Sequence, residues 1–123
     1  MSEDASQFNK TKYLSLETYR KNGISVRTPV WFVVEDKDFF VITKSETGKV
    51  KRLRNNPKVR ISPCNFRGKI KGKWVDGYIT FKDPIEFPQI IKLRNKKYGF
   101  LSKIVSLFTL GKGKLIIISI RLV

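Results

Sequence analysis

The pattern of apolar and polar positions along the chain predicts a mainly β domain. Residues 24–34 are dense in β-branched and aromatic side chains, which favour strands. Shorter apolar stretches with similar composition predict further strands at residues 39–43, 58–64, 70–82 and 114–123. Gly72 and Gly77 would allow the fourth of these strands to bend. No strand–helix–strand alternation is present, so the pattern favours an antiparallel barrel of five or six strands.

Three segments have helical patterns of apolar residues. Residues 13–21 carry Tyr and Leu at mixed helical spacings and end before Asn22–Gly23, which predicts a short helix. Residues 45–55 predict a mostly exposed helix with Ser45 as its N-cap. Residues 87–98 predict a basic amphipathic helix whose apolar side holds Ile90, Ile91, Leu93 and Tyr98. Residues 100–110 allow one further short helix.

The length of the chain predicts a single domain. It has 123 residues, within the common range for one domain. Residues 1–12 are polar and low in aliphatic side chains, so we expect them to form a loose tail. Residues 13–123 would then form the folded domain.

Charge is the unusual feature of the composition. The chain has 26 Lys and Arg against 10 Asp and Glu, a formal net charge of +16. A positive field of this size attracts anions, which include nucleic acid, acidic membrane surfaces and phosphorylated or carboxylated small molecules. It also keeps a protein soluble without any specific partner, and the charge alone does not decide among these roles.

Several chemistries are excluded by composition. The chain has no histidine, which removes Ser-His-Asp and Cys-His triads and His-ligated metals. Cys64 is the single cysteine, so a disulfide within the chain and a Cys-rich metal site are both excluded. We expect Cys64 to be a buried structural thiol. The first residues lack an apolar signal region, and no apolar run approaches the ~20 residues of a membrane span. We therefore expect a cytoplasmic protein.

An anion site is predicted where the second strand ends and the next helix begins. Hydroxyl groups, free backbone N–H groups at a helix start and two cations on one helical face can converge on a phosphate. The residues that supply these groups are Thr43, Lys44, Ser45, Gly48, Lys49 and Arg52. The spacing is not that of a nucleotide P-loop. The alternative is a capped surface helix with solvated cations.

Two residues of the first strand also attract attention. Arg27 is a long cation among apolar neighbours, and it could pair with Glu17 or meet a carbonyl or phosphate of a ligand. Pro29 cannot donate to a sheet ladder, so it marks an edge, a bulge or a place where a ligand replaces the neighbouring strand.

Four stretches of the sequence resemble one family. They are residues 13–34 (YLSLETYRKNGISVRTPVWFVV), the strand that ends at Thr43, residues 48–64 (GKVKRLRNNPKVRISPC) and residues 96–99 (KKYG). Together they resemble the flavin- and deazaflavin-dependent oxidoreductases related to pyridoxamine phosphate oxidase. The resemblance covers nearly the whole chain after residue 12.

The resemblance implies a six-stranded antiparallel split β-barrel with short peripheral helices, which forms a homodimer with its cofactor at the interface. By the same resemblance, Arg27, Thr28, Pro29 and Val30 would lie beside the cofactor ring. The ribityl and phosphate part would lie near the second strand and the following helix, with Thr43, Lys44 and Ser45 along it, Lys49 and Arg52 on the phosphate, and Gly48 in the same turn. Arg27 would also stabilise the reduced ring.

The family resemblance implies a hydride-transferring enzyme but leaves its cofactor open. The candidates are FMN and the 8-hydroxy-5-deazaflavin coenzyme, and members that bind FAD or haem-derived tetrapyrroles also exist. The basic surface, which includes Lys69, Lys71 and Lys73, favours the deazaflavin coenzyme because of its longer acidic tail. Two alternatives remain: a cofactor carrier without turnover, and a basic nucleic-acid-binding barrel that stacks bases on aromatic side chains.

Overall fold

Seven antiparallel strands form one sheet in the order β2-β1-β5-β6-β7-β4-β3. The computed structural model describes residues 3–99 and 112–123. The elements in chain order are α1 (Glu3–Ser6), β1 (Tyr13–Tyr19), β2 (Ser25–Trp31), β3 (Val33–Glu35), β4 (Asp38–Lys44), α2 (Gly48–Asn55), β5 (Lys58–Cys64), β6 (Val75–Phe81), a 3-10 turn (Pro84–Glu86), α3 (Phe87–Tyr98) and β7 (Leu115–Leu122).

The sheet is curled because its two edges are joined through one residue. β2 and β3 lie at opposite ends of the strand order, yet Phe32 alone separates them in the chain. The two edges must therefore come together, and β2 also contacts β4. The predicted class, a mainly β antiparallel barrel with short peripheral helices, is confirmed. The strand count is seven rather than six.

Two apolar clusters hold the sheet together. The larger one fills the inside of the curled sheet, and its buried members include Phe8, Leu16, Phe39, Ile61 and Ile118. The smaller one lies between α3 and the outer face of β3, β4 and β7, and it is formed by Val33, Phe40, Ile90, Tyr98 and Ile117. α3 is thus fixed to the barrel by its apolar face.

The prediction of a loose tail over residues 1–12 is wrong around Phe8. This ring is 1% exposed and makes edge-to-face contacts with Phe39 and Phe32, at centroid distances of 5.1 and 6.0 Å. The Gln7 side chain also exchanges two hydrogen bonds with the backbone of Lys73. The Phe8 ring holds this otherwise polar segment against the barrel, because the inside of the barrel accommodates the ring.

The predicted helix over residues 13–21 is instead the strand β1, which lies between β2 and β5. Its Leu residues alternate with outward-facing residues, and both faces are buried. A short strand that is buried on both faces lacks a clear alternation of apolar and polar residues, so its spacing resembled that of a helix.

Other boundaries differ from their predictions for identifiable reasons. The predicted strand over residues 24–34 is broken at Phe32 into β2 and β3. The strand predicted over residues 70–82 begins only at Val75, because the backbone of Lys73 pairs with the Gln7 side chain. β4, β5, β7 and α3 occur within one residue of their predicted positions. The helix suggested over residues 100–110 lies outside the described residues.

Phe8→Ala should lower the free energy of unfolding by about 3–5 kcal/mol, because it removes a fully buried ring from the closed core. The measurement is urea denaturation followed by circular dichroism. Phe66→Ala is the control, since Phe66 is 65% exposed and should change stability by less than about 0.5 kcal/mol. Equal effects of the two variants would contradict the placement of Phe8 in the core.

Candidate functional site

A cleft of about 520 Å³ opens beside the junction of β2 and β3. Its walls come from β1, β2, β3, β4, α2, α3 and the start of β7, and most of its lining is apolar or aromatic. The lining residues are Tyr13, Thr28, Pro29, Val30, Trp31, Phe32, Val33, Phe40, Ile42, Thr43, Lys44, Lys49, Ile91, Arg94 and Leu115. Three of these residues are cations and none is acidic. A cleft of this size and composition suits a flat apolar ligand that carries negative charge.

Six of the ten residues predicted for the site line this cleft. Thr28, Pro29 and Val30 come from β2, and Thr43 and Lys44 from the end of β4. Lys49 comes from the first turn of α2. β2 is an edge strand, so the missing N–H of Pro29 costs no ladder hydrogen bond there.

Gly48 and Arg52 are not part of the lining of the cleft, although the charge of Arg52 is close to Lys49. The Nε atom of Arg52 donates a hydrogen bond of 2.6 Å to the Thr18 hydroxyl. A Cβ atom at position 48 would lie 2.8 Å from Nη1 of Arg52, so glycine leaves room for this guanidinium. The start of α2 therefore brings two cations together beside the cleft.

Ser45 has a different role from the predicted N-cap. Thr47 occupies the N-cap position of α2. The Ser45 hydroxyl instead accepts a hydrogen bond of 2.9 Å from the N–H of Lys114, and its own N–H donates to the Lys114 carbonyl. Ser45 ties the turn after β4 to the start of β7, a pairing between distant parts of the chain.

Lys49 is a half-buried cation with no ion-pair partner among the described residues. Burial, and secondarily the nearby charge of Arg52, lowers the pKa of its ammonium group. A positive charge in this position is unfavourable in the protein alone. An anionic group in the cleft would relieve both effects.

Arg27 does not line the cleft, and the predicted alternative, pairing with Glu17, is the one observed. The Glu17 side chain is 1% exposed; it accepts hydrogen bonds from Arg27 Nε at 2.9 Å and from Arg60 Nε at 2.7 Å. The Tyr19 hydroxyl donates to the same carboxylate. The Trp74 ring packs on both guanidinium groups, at 4.5 and 5.1 Å. Arg27 thus belongs to an ion-pair network around a buried carboxylate on the outer face of the sheet.

The pKa of Glu17 reflects this network. Burial alone would raise it, but the hydrogen bonds from Arg60, Arg27 and Tyr19 outweigh burial and hold it at about 2. The carboxylate therefore stays ionised at neutral pH, and its charge is matched by two arginines.

The last turn of α3 fixes the β2–β3 junction at the back of the cleft. The Tyr98 ring stacks on Trp31 at 4.1 Å with an interplanar angle of 6°. Its hydroxyl accepts a hydrogen bond from the Phe32 N–H and lies 2.9 and 2.7 Å from the carbonyl oxygens of Phe32 and Lys12. Burial raises the pKa of Tyr98.

Lys97 donates to the Phe32 carbonyl at 2.8 Å, and burial of its ammonium group lowers its pKa to about 8. Lys97 and Tyr98 thus have a structural role beside the site.

Arg94 is a cleft residue that the sequence analysis missed. It lies on α3 among the residues that pack against the barrel. A usable signal was present, since position 94 falls four residues after Ile90 and four before Tyr98, within the apolar stripe.

Cys64 lies on β5, is buried, and does not line the cleft. Burial raises the pKa of its thiol. In the described part of the chain, no group of three His, Cys, Asp or Glu residues is arranged to hold a metal ion. No helix there is both long and apolar enough to cross a membrane.

No family model matches the sequence, and a search of curated proteins finds no match. Solved structures do share the fold. The haem storage protein HutZ of Vibrio cholerae is 17% identical, with a TM-score of 0.72 over 97% of this chain and 87% of that one. A FAD-binding protein of Mesorhizobium loti is 15% identical, with a TM-score of 0.69 over 99% and 88%. An F420 reductase is 15% identical, with a TM-score of 0.65 over 100% and 95%.

These structures are split barrels of the pyridoxamine phosphate oxidase-like type, so the chain has the fold that its sequence predicted. At these identities the likeness concerns the fold alone.

Glu17→Gln should lower the free energy of unfolding by about 2 kcal/mol at pH 7. This is less than a fully buried pair would cost, because Arg27 and Arg60 are partly exposed. Since the pKa of Glu17 is about 2 in the folded protein and 4.5 ordinarily, its stabilising effect is complete above pH 4.5 and is lost as the pH falls towards 2. The stability difference between the two proteins should therefore narrow over this range, as measured by urea denaturation at each pH.

Asp38→Asn is the matched control for this experiment. It removes the carboxylate from the Asp38–Arg121 pair, in which Arg121 is 70% exposed, and should lower the stability less than Glu17→Gln does. A pH-independent difference for Glu17→Gln would show that its charge does not stabilise the fold.

Proposed function

We propose that the cleft binds a flavin-type cofactor and that the protein is an oxidoreductase of this fold class. The observation that carries the proposal is the joining, in one cleft, of an apolar and aromatic wall with cations that have no acidic counterpart in the lining. The FAD-binding protein and the F420 reductase named above share the fold, which supports a cofactor of this class.

The residues present fit such a group. Thr28, Pro29 and Val30 would lie along the ring, on an edge strand that lines the cleft. Thr43 and Lys44, with Ser45 in the following turn, would lie along the ribityl and phosphate part. Lys49 would bind the phosphate directly, and Arg52 and Gly48 would support it from behind. An anion there would neutralise a half-buried ammonium group.

The chemistry of the reaction would come from the cofactor, whose ring accepts or donates a hydride when bound. The chain's own residues would bind and orient the cofactor and keep water from its ring. Trp31, Phe40 and Ile42 supply the apolar surface for this exclusion. The absence of histidine does not count against such an enzyme, since no side chain has to act as a nucleophile.

Between the two cofactors, we propose the 8-hydroxy-5-deazaflavin coenzyme over FMN. Its tail carries more negative charge than a single terminal phosphate, and the chain has a net charge of +16. The substrate would be a small organic molecule. A carrier without turnover is the second candidate, because the HutZ structure of the same fold is that of a storage protein.

Lys49→Ala should weaken FMN binding at least about tenfold, because a charge-assisted contact to the phosphate is lost. Riboflavin has the same ring without the phosphate, so its affinity should stay within about twofold. The measurement is quenching of flavin fluorescence at fixed moderate salt. Adding Arg52→Ala should weaken FMN binding further.

Lys51→Ala is the control for Lys49→Ala, since it removes the same charge from the same helix at an exposed position outside the cleft. It should leave the affinity for FMN almost unchanged. Equal losses for FMN and riboflavin in Lys49→Ala would place the phosphate elsewhere. If neither FMN nor the deazaflavin coenzyme binds, the flavin proposal fails and a nucleic acid becomes the leading anion.

We also propose that the protein forms a homodimer that completes the cofactor site. Tyr78, Phe81 and Ile85 are large apolar residues of β6 and the next turn, and they are 54%, 38% and 84% exposed. Tyr78 and Phe81 lie on opposite faces of β6, so each would be covered separately in an assembly. Light scattering at micromolar concentration should give the mass of a dimer, and a monomer would remove the composite site.

A further inference from the structure

Arg94 is a charged residue in an apolar position. α3 packs against the barrel through one apolar face, which includes Phe87, Ile90, Ile91 and Tyr98. Arg94 falls on the same face. Arg at such a position is uncommon in a protein interior unless its charge is paired.

The guanidinium of Arg94 is poorly satisfied within the protein. Its Nε atom is buried and has no hydrogen-bond partner in the part of the chain that the structure describes. Its Nη2 atom makes one long contact, 3.4 Å to the side-chain oxygen of Asn95. Burial lowers the pKa of Arg94. A buried donor without an acceptor costs free energy, typically on the order of 1–3 kcal/mol and more when charged.

Among the cleft residues that the structure describes, none is an ionic partner for this charge. No acidic side chain lines the cleft, and none of the ion pairs among residues 3–99 and 112–123 includes Arg94. Arg27 and Arg60 differ from Arg94 in this respect, because the Nε–H of each donates a hydrogen bond to the Glu17 carboxylate. Arg94 instead lines the cleft, and its buried Nε–H has no acceptor among the described residues.

We propose that Arg94 binds a carboxylate inside the cleft, as a second anion-binding group distinct from the Lys49 end. The two Nη groups of a guanidinium form a planar fork that matches the two oxygens of a carboxylate, and Arg94 would bind through them because its Nε atom is buried. The apolar neighbours Ile91, Trp31 and Phe40 would exclude water and strengthen the pair. The inference rests on the proposed function in taking the cleft as the ligand site.

The carboxylate has two possible sources, a small organic acid bound beside the cofactor or the acidic tail of the deazaflavin coenzyme. Benzoate is the probe for the first, titrated into FMN-loaded protein and followed by the change in the flavin absorption spectrum. The deazaflavin coenzyme is the probe for the second, with FMN, which lacks a carboxylate, as its reference.

Arg94→Met keeps the length of the stem and removes the charge and the donors. It should weaken either benzoate binding or coenzyme binding at least tenfold while FMN affinity stays within about twofold. Loss of benzoate binding identifies an organic acid, and loss confined to the coenzyme identifies its tail. Arg94→Lys, which keeps the charge without the fork, should recover part of the affinity. Lys92→Met, at an exposed position of α3, should change neither.

Stability provides a second measurement that separates binding from structure. Because Arg94 leaves a buried Nε–H without an acceptor among the described residues, Arg94→Met should raise the Tm of the ligand-free protein by at least about 2 °C. A lower Tm together with unchanged affinity for both carboxylate probes would mean that Arg94 is structural, and would overturn the proposal.

The two proposals can fail separately. If FMN and the coenzyme do not bind, the flavin proposal fails, and benzoate titrated into the purified protein by calorimetry still tests Arg94. If FMN binds normally but neither benzoate nor the coenzyme responds to Arg94→Met, the carboxylate site is overturned and the flavin proposal stands.

Discussion

The single-residue connection at Phe32 is the constraint on which the rest of the structure depends. The chain passes there from one edge of the sheet to the other, so the sheet has to curl until its edges meet. Edge strands leave backbone groups unpaired, and at this junction the N–H and C=O of Phe32 are satisfied by Tyr98 and Lys97. α3 is therefore held at the opening of the barrel, and its neighbouring turn places Arg94 in the wall of the cleft. The contacts that close the barrel therefore also position the residues of the cleft.

The protein contains two kinds of buried or partly buried charge, one with ionic partners and one without them among the described residues. On the outer face of the sheet, the Glu17 carboxylate is surrounded by Arg27, Arg60 and Tyr19, and every ionised group has a partner. In the cleft, Lys49 and Arg94 are partly or locally buried without a counter-charge. Buried charges of the second kind destabilise a ligand-free fold, and perturbed groups gather at functional sites for this reason. The contrast between the two places argues for function more strongly than the net charge of the whole chain.

The parts of the fold that were predictable from sequence are those fixed by local pattern. β5 and α3 have the predicted bounds because their limits are marked in the local sequence. β5 is a run of strand-forming residues that follows Asn56–Pro57, and α3 is an amphipathic stretch that ends at Gly99. β1 was predicted as a helix because its own sequence does not show that it is a strand. Its place between two other strands, β2 and β5, makes it a strand. Phe8 was missed because the barrel, not the tail, determines its burial. Ser45 and Arg27 took roles set by partners about 70 and 10 residues away in the chain.

The candidate site was predictable only in part for the same reason. The end of β4 and the start of α2 are adjacent in sequence, so their hydroxyls and cations could be grouped in advance. The opposite wall, with Ile91 and Arg94, comes from a helix more than 40 residues later whose packing on β4 depends on barrel closure. Sequence spacing could show that Arg94 interrupts an apolar stripe, but only the packed structure shows what it faces.

The fold by itself does not choose the ligand, since one split barrel of this type stores haem and another is an F420 reductase. The side chains that line the cleft narrow the choice of ligand. Haem iron is held in proteins by His, Cys, Met or Tyr side chains. The chain has no histidine, Cys64 lies outside the cleft, and Tyr13 is the one residue of these four types in its described lining. Cations at two places around an apolar wall suit instead the flat ring with anionic substituents that we propose as the ligand.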